Sequence, residues 1–158
     1  MLDDGTPIVR ATLGDAGELL TLQRACWVQE ALANDLLDIP ALHESLDDVR
    51  TWLGEWDTYV VRRAGRLVAA VRGRVEHGAH GDVWDIGRIM VAPDLQGSGL
   101  GRVLLEHIQA VAPAGVASYV LFTGAASARN QRMYKKAGFR LRRDLPAPPG
   151  AVVLTKRR

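Results

Sequence analysis

The chain of 158 residues has a single cysteine, Cys26, so no internal disulfide can staple it. Cys26 lies at helical spacing with Leu19, Leu20 and Trp27, which reads as a core thiol and not a nucleophile. Long apolar runs are missing, and the start MLDDGTPIVR lacks the basic head and apolar centre of a signal peptide. The expectation is a soluble, cytoplasmic protein with no membrane partner. Histidine is scarce at four residues, and the only cluster with metal-ligand chemistry is His77, His80 and Asp82 on one glycine-rich loop. Three ligands on a flexible loop with no further His or Cys nearby make a poor site, so no metal is expected. Gly-Lys does not occur anywhere, which excludes a nucleotide triphosphate loop of the usual kind. Aromatic residues are only 6% of the chain, and the basic end region offers just Tyr134 and Phe139, both at helix-packing positions. A single-strand nucleic-acid surface interleaves exposed aromatics with its cations, so no nucleic-acid partner is expected.

With 47% apolar residues the chain can bury a substantial core, and its length suits one domain over residues 1–158. The net charge of +2 conceals an asymmetry: residues 1–57 carry twelve acidic and three basic side chains, residues 129–158 ten basic and one acidic. Such a basic end attracts nucleic acid or cofactor phosphates, or is simply solvated. Three of the twenty cations are lysine, leaving seventeen arginines, a bias that follows nucleotide composition as readily as chemistry.

The stretch from Trp84 to Val111 organises the rest. Ile86, Ile89 and Val91 form a strand-length apolar run that Pro93 stops, and Leu100, Val103, Leu104, Ile108 and Val111 then fall three or four apart on one helix face. Between them lies Gln96-Gly97-Ser98-Gly99-Leu100-Gly101, where missing Cβ atoms let backbone N–H groups approach a ligand. A helix N-terminus follows, and its unpaired N–H groups and positive dipole end favour an anion, a pyrophosphate above all. The bland alternative is a tight turn with packing glycines. A dinucleotide fingerprint fails because Arg102 stands where its third glycine belongs.

Elsewhere the order of signals is strand (residues 8–12), a helix capped by Asp15, a loop or broken helix around Pro40, and a second helix capped at Ser45 that carries Val49, Trp52, Leu53 and Trp56. Residues 58–63 and 67–76 flank Ala64-Gly65 as a hairpin, and residues 119–123 are another buried strand. Ser127 to Asn130 leads into a helix with Met133, Tyr134 and Ala137, ended by Gly138 as a left-handed cap; residues 140–143 and 151–155 are last strands.

The spacing Gln-x-x-Gly-x-Gly after a strand, together with Asn130 to Phe139 (NQRMYKKAGF), resembles the two motifs of the GNAT family of N-acetyltransferases, and the order of elements is similar over nearly the whole chain. The resemblance implies an α/β (α+β) fold: a mixed, mostly antiparallel central sheet with helices on both faces and a splayed central strand pair, the strands of Met90 and Tyr119. It implies transfer of an acetyl group from acetyl-CoA, as cosubstrate, to a primary amine by direct attack. Met90, Val91, Gln96, Gly97, Ser98, Gly99, Leu100, Gly101, Arg102, Asn130 and Arg132 would then contact the cofactor, with Arg129 a further phosphate candidate. The N–H of Val91 or a neighbour would polarise the thioester, Tyr134 would protonate the sulfur, and Asp85 would be the base, with Glu76 in reserve. The acceptor pocket would lie between Trp27 and Trp56. The acidic surplus there suits a cationic amine, either a small molecule or a peptide, while Trp27, Trp52 and Trp56 read mainly as core. A homodimer is left open. The competing readings are a coenzyme A-binding regulatory module without catalysis and a basic nucleic-acid binder.

Overall fold

The computed structural model describes every residue except Met1, Asp3 and Ala79. In chain order the elements are β1 (Ile8–Arg10), α1 (Ala16–Asn34), α2 (Pro40–His43), α3 (Leu46–Glu55), β2 (Asp57–Arg63), β3 (Arg66–Glu76), β4 (Val83–Val91), α4 (Leu100–Ala110), β5 (Ser118–Gly124), α5 (Ala128–Lys136), β6 (Arg140–Arg142) and β7 (Ala151–Arg157). Local chemistry sets several of these bounds. Ser45 and Asp48 form a reciprocal cap at the start of α3: the Asp48 N–H donates to Ser45 Oγ at 3.2 Å, and the Ser45 N–H to Asp48 Oδ2 at 2.7 Å. Asp15 works differently from a simple cap on α1. Its carboxylate turns back to accept from the N–H of Thr12 at 2.7 Å, closing a 3-10 turn (Leu13–Asp15) that feeds the helix. Pro40 opens the short helix α2 in the stretch that reads as a loop, at the position where its missing N–H costs nothing.

The seven strands form one sheet in the order β1-β2-β3-β4-β5-β7-β6, antiparallel except for the β4–β5 pair. Both faces are covered. On one side Trp84 of β4 is buried, its indole Nε1 donating to the carbonyl of Ile108 in α4 at 3.0 Å. On the other side α1 and α3 pack over the sheet with Leu19, Leu22, Val49 and Trp52 buried. No helix among the described residues is long and apolar enough to cross a membrane.

Gly73, the partner of Ile86 and diagonal neighbour of Trp84 across the β3–β4 ladder, shows how tightly the first face is filled. A Cβ there would lie 2.3 Å from Trp84 Cε2, and the ring is fixed by its hydrogen bond to α4. Gly73→Ala is therefore expected to destabilise the protein by about 1–3 kcal/mol in urea unfolding, the usual cost of overpacking. An unchanged midpoint would mean that the indole moves aside freely.

Candidate functional site

The β4–β5 register runs only from Val83↔Ser118 to Ile86↔Leu121, although both strands continue. Beyond Ile86 the two strands part. A bulge sits at the same place: between Arg72↔Gly87 and Ala70↔Met90, Arg88 and Ile89 together oppose Val71, and Arg88 adopts φ 51°. The extra residue swaps the faces of everything after it. Val91 consequently points its side chain at α4, where its Cγ2 is 3.9 Å from the place a Cβ of Gly101 would occupy. The Ala92 N–H donates to the Val68 carbonyl at 2.8 Å, so by the alternation of an antiparallel ladder the N–H and C=O of Val91 face away from β3, toward the gap. The Val91 carbonyl accepts the Cys26 thiol at 3.3 Å. Burial pushes that thiol up to about 11, so Cys26 is inert, as its helical spacing suggests.

Arg88 is held by a polar cluster from three elements. Its guanidinium makes a bidentate pair with Glu44 and also donates to Gln23 of α1. Gln23 is fully buried and donates to Glu44 at 3.0 Å and to the Ala41 carbonyl at 2.8 Å, while the Trp52 indole N–H adds a bond to Glu44 at 3.1 Å. Burial tends to raise the Glu44 pKa, but bonds from Arg88 and Gln23 outweigh it and hold the carboxylate below its ordinary range.

Past the gap, Gln96 to Gly99 leads into α4. Gly97 (φ 89°) and Gly99 (φ 86°) take left-handed conformations, and a Cβ on Gly99 would meet nothing within 4 Å. Among the described residues the N–H groups of Gly99, Leu100 and Gly101 have no backbone partner, and the first turn of α4 has no acidic residue. The start of α5 is different. Glu30 of α1 accepts from the Ser127 hydroxyl and, at 3.0 Å, from Asn130 Nδ2, so a carboxylate already occupies that end. Anion capacity is thus left at α4, beside which Arg129 Nη2 is 3.5 Å from the position of a Gly97 Cβ. Gln96 donates to Gln29 at 2.8 Å, Ser98 Oγ to the Leu95 carbonyl at 2.7 Å, and Arg102 and Arg132 are exposed.

On the α1/α3 face, Arg72↔Gly87 and Arg74↔Asp85 are cross-strand partners. Burial pushes the Asp85 carboxyl up to about 6 despite the opposing pull of Arg74 and Arg72. Glu76 is half exposed and bound by Arg74 at 2.5 Å. Arg72 stacks 4.5 Å from the Trp52 ring centroid and 4.1 Å from that of Trp56. Tyr134 is buried, makes no side-chain hydrogen bond among the described residues, and has its pKa raised by burial and secondarily by Glu30.

The sequence-predicted residues thus fall in one connected region: Met90 and Val91 at the gap, Gln96 to Gly101 at its end, Asp85 and Glu76 on the adjoining sheet face. Asn130 turns to α1. Several of the acidic residues among the first 57 are already paired within the chain. Asp15 and Glu18 each pair with Arg62 at 2.6 Å and Asp47 with Arg50 at 2.8 Å, while Glu44 is spent on Arg88. Arginines 72, 74 and 88 stand on the sheet face, over Trp52 and Trp56. None of the three was singled out from the sequence, although Arg88 breaks the apolar alternation of Trp84, Ile86 and Met90.

A family model described as "Acetyltransferase (GNAT) family" matches residues 18–139. An IAA acetyltransferase of Azospirillum brasilense is 33% identical over 110 residues, which is 69% of this chain and 65% of that protein. Among solved structures, the PaiA N-acetyltransferase of Thermoplasma acidophilum in complex with coenzyme A superposes with TM-score 0.76 at 11% identity, covering 98% of this chain and 99% of that one. The GNAT domain of S. lividans PAT gives 0.76 at 22% identity over 96% and 89% of the two chains. The ribosomal-protein-alanine N-acetyltransferase of Brucella melitensis gives 0.73 at 19% over 96% and 99%.

The raised Asp85 pKa has a thermodynamic signature. The folded chain keeps a proton that the unfolded chain releases between pH 3.8 and about 6, so stability falls as pH rises through that window and stays lower above it. Asp85→Asn removes the cost and is expected to be more stable than wild type at pH 8 by on the order of 2–3 kcal/mol, with the advantage largely gone at pH 4. Urea midpoints at both values test this; an advantage equal at both would show that Asp85 is not the titrating group.

Proposed function

The chain belongs to the GNAT acetyltransferase family, and on that premise we propose that it moves an acetyl group from acetyl-CoA to a primary amine by direct attack. The observation that carries this reading is the length of β4 beyond Ile86 that β5 leaves unpaired, whose Val91 N–H faces the gap and which the Gln96 to Gly99 loop links to an uncapped helix N-terminus. A ligand with an extended amide-bearing arm and a pyrophosphate at its end suits that combination. The N–H groups of Gly99, Leu100 and Gly101 would take the pyrophosphate, with Gln96 to Ser98 as the rest of the cradle, and Arg129, with Arg102 and Arg132, would meet the remaining phosphate. Val91 would pair with the arm, while Met90, whose N–H and C=O face Ala70 of β3, would flank it without a backbone bond. Acetyl-CoA, when bound, supplies the activated thioester carbon.

Around it, this chain's residues divide the work. The Val91 N–H stabilises negative charge on the carbonyl oxygen as the amine nitrogen attacks and the carbon–sulfur bond breaks. Asp85 accepts the proton that the amine must lose, directly or through water. A carboxyl titrating at about 6 is ionised at neutral pH yet more basic than an ordinary one. Glu76 is engaged by Arg74 and more exposed, which leaves it the weaker candidate. Tyr134 donates to the departing sulfur. Its raised pKa keeps the phenol neutral, so its contribution is a hydrogen bond to the thiolate more than a completed proton transfer.

Thiol release from acetyl-CoA against a panel of amines tests the reaction; none with any amine, despite coenzyme A binding, would favour a binding module without catalysis. Two variants test the parts. Gly99→Asp puts a carboxylate into the open space at the α4 N-terminus and is expected to abolish coenzyme A binding in calorimetry; wild-type affinity in the folded variant would put the phosphates elsewhere. Tyr134→Phe is expected to keep coenzyme A affinity within several-fold and to lose roughly 10²-fold in turnover. Turnover within about threefold of wild type, with chemistry rate-limiting, would make Tyr134 a packing residue.

A further inference from the structure

Among the described residues, Arg72 is the buried cation of this chain, and no carboxylate or carbonyl accepts a hydrogen bond from it. Its neighbours on the same sheet face are committed, Arg74 to Glu76 and Arg88 to Glu44, and elsewhere Arg62, Arg66 and Arg142 each hold a carboxylate. Arg72 is only 9% exposed, yet among the described residues its Nε and Nη1 are shut off from solvent with no hydrogen-bond partner. Native structures rarely leave such donors unmet, and a buried guanidinium without an anion is costly. Stacking on Trp52 and Trp56 satisfies only the π faces and leaves the in-plane N–H edge for bonding.

The place is as telling as the vacancy. The guanidinium occupies the notch left by Gly87, whose Cβ would lie 3.3 Å from Arg72 Nε and 3.3 Å from Trp56 Cζ3. Gly87 is the first residue of β4 past the last residue paired with β5, so the fork lies where the gap opens. Asp85 is the diagonal neighbour of Arg72 across the ladder, about 7–8 Å between Cβ atoms for such a pair. A planar carboxylate is the anion that matches an arginine fork in two parallel bonds. A polyamine would meet Arg72 and Arg74 as like charges.

Resting on the acetyl-transfer reading, we propose that the acceptor is a small free amino acid whose carboxylate is bound by Arg72 between Trp52 and Trp56, with its α-amine presented toward Asp85. Arg72 is a specificity residue in this scheme: it selects the acceptor and touches the proton transfer only through its charge beside Asp85.

The test compares common L-amino acids with their amides, and with spermidine and glucosamine 6-phosphate, in thiol release from acetyl-CoA. At least one amino acid is expected to exceed its own amide by about 30-fold or more in kcat/KM, as loss of a charge-assisted bond implies. In Arg72→Met that ratio falls to near one, with the loss in the acceptor KM; Arg72→Lys restores only part of it, because the charge returns without the fork. Coenzyme A affinity in calorimetry is unchanged, and the Tm of Arg72→Met is no lower than that of wild type, since no fold-holding hydrogen bond is removed. Preference for an amide, spermidine or the sugar phosphate overturns the proposal, as does an acid-to-amide ratio that survives Arg72→Met. If no amine releases thiol, the acetyl-transfer reading fails on its own, and binding decides this inference: calorimetry of the coenzyme A-loaded protein with the same L-amino acids. Binding that Arg72→Met abolishes supports the site; no binding to wild type refutes it.

Discussion

The bulge at Arg88 is the constraint on which the site depends. A side chain in the left-handed region costs roughly 1–2 kcal/mol, which is why glycine usually fills such positions. Here the residue is an arginine at φ 51°, and the bidentate pair with Glu44 together with the bond to Gln23 offsets the strain. Charge-assisted bonds contribute about 1.5–3 kcal/mol each, enough to hold the conformation. Because Glu44 follows α2 and Gln23 lies in α1, the same contacts seat both helices on the sheet. The consequences run down the strand: the faces exchange, Val91 presents its backbone to the gap, and β4 continues without β5 beside it.

Charge is distributed so that each helix end and each buried cation is either satisfied or open, and the open ones coincide with the gap. Glu30 closes the N-terminus of α5 and ties it to α1, whereas α4 begins on Gly99 with no acidic residue in its first turn, and the nearby Asp4 is paired with Arg63. Both ends carry the same partial positive charge, so the placement of one glutamate decides which can take an external anion. The same logic separates Arg88 from Arg72. Two guanidiniums near Trp52 share the surroundings, but Glu44 can serve only one, and burial together with the Arg88 charge brings the other down to about 9. The second fork remains charged at neutral pH, with the charges of Glu44 and Asp85 in its neighbourhood but, among the described residues, no carboxylate hydrogen-bonded to it.

Much of this was legible in the sequence wherever the signal is local. The Ser45–Asp48 cap, the Ala64-Gly65 turn, the left-handed Gly138 and the strand–loop–helix from Trp84 to Val111 each rest on residues a few positions apart. Their boundaries agree with the structure to within a residue or two. What escaped is set by pairs far apart in the chain. Arg88 meets Glu44 across 44 positions, and Asn130 meets Glu30 across 100. The acidic count of the first 57 residues suggested a cationic acceptor because composition cannot tell a carboxylate that faces the site from one already paired. Trp52 and Trp56 read as core from their helical spacing, and they are buried. Periodicity says which face a side chain takes, though, not that the atom packed against it is a guanidinium.

The two ends of the proposed proton path are tuned in one direction by different means. Burial raises Asp85 and Tyr134 alike, and in both cases this favours the protonated form. For Asp85 the rise stops near 6 because Arg74 and Arg72 pull against it, leaving a base that is ionised at neutral pH and still willing to take a proton. For Tyr134 no cation opposes the rise, and Glu30 adds to it, so the phenol stays neutral across the whole working range. A group so placed loses its proton reluctantly but donates a hydrogen bond without first being deprotonated or hydrated. The difference between a base and a donor thus comes down to which charge stands behind each group: two arginines on β3 for Asp85, and the glutamate that anchors α5 for Tyr134.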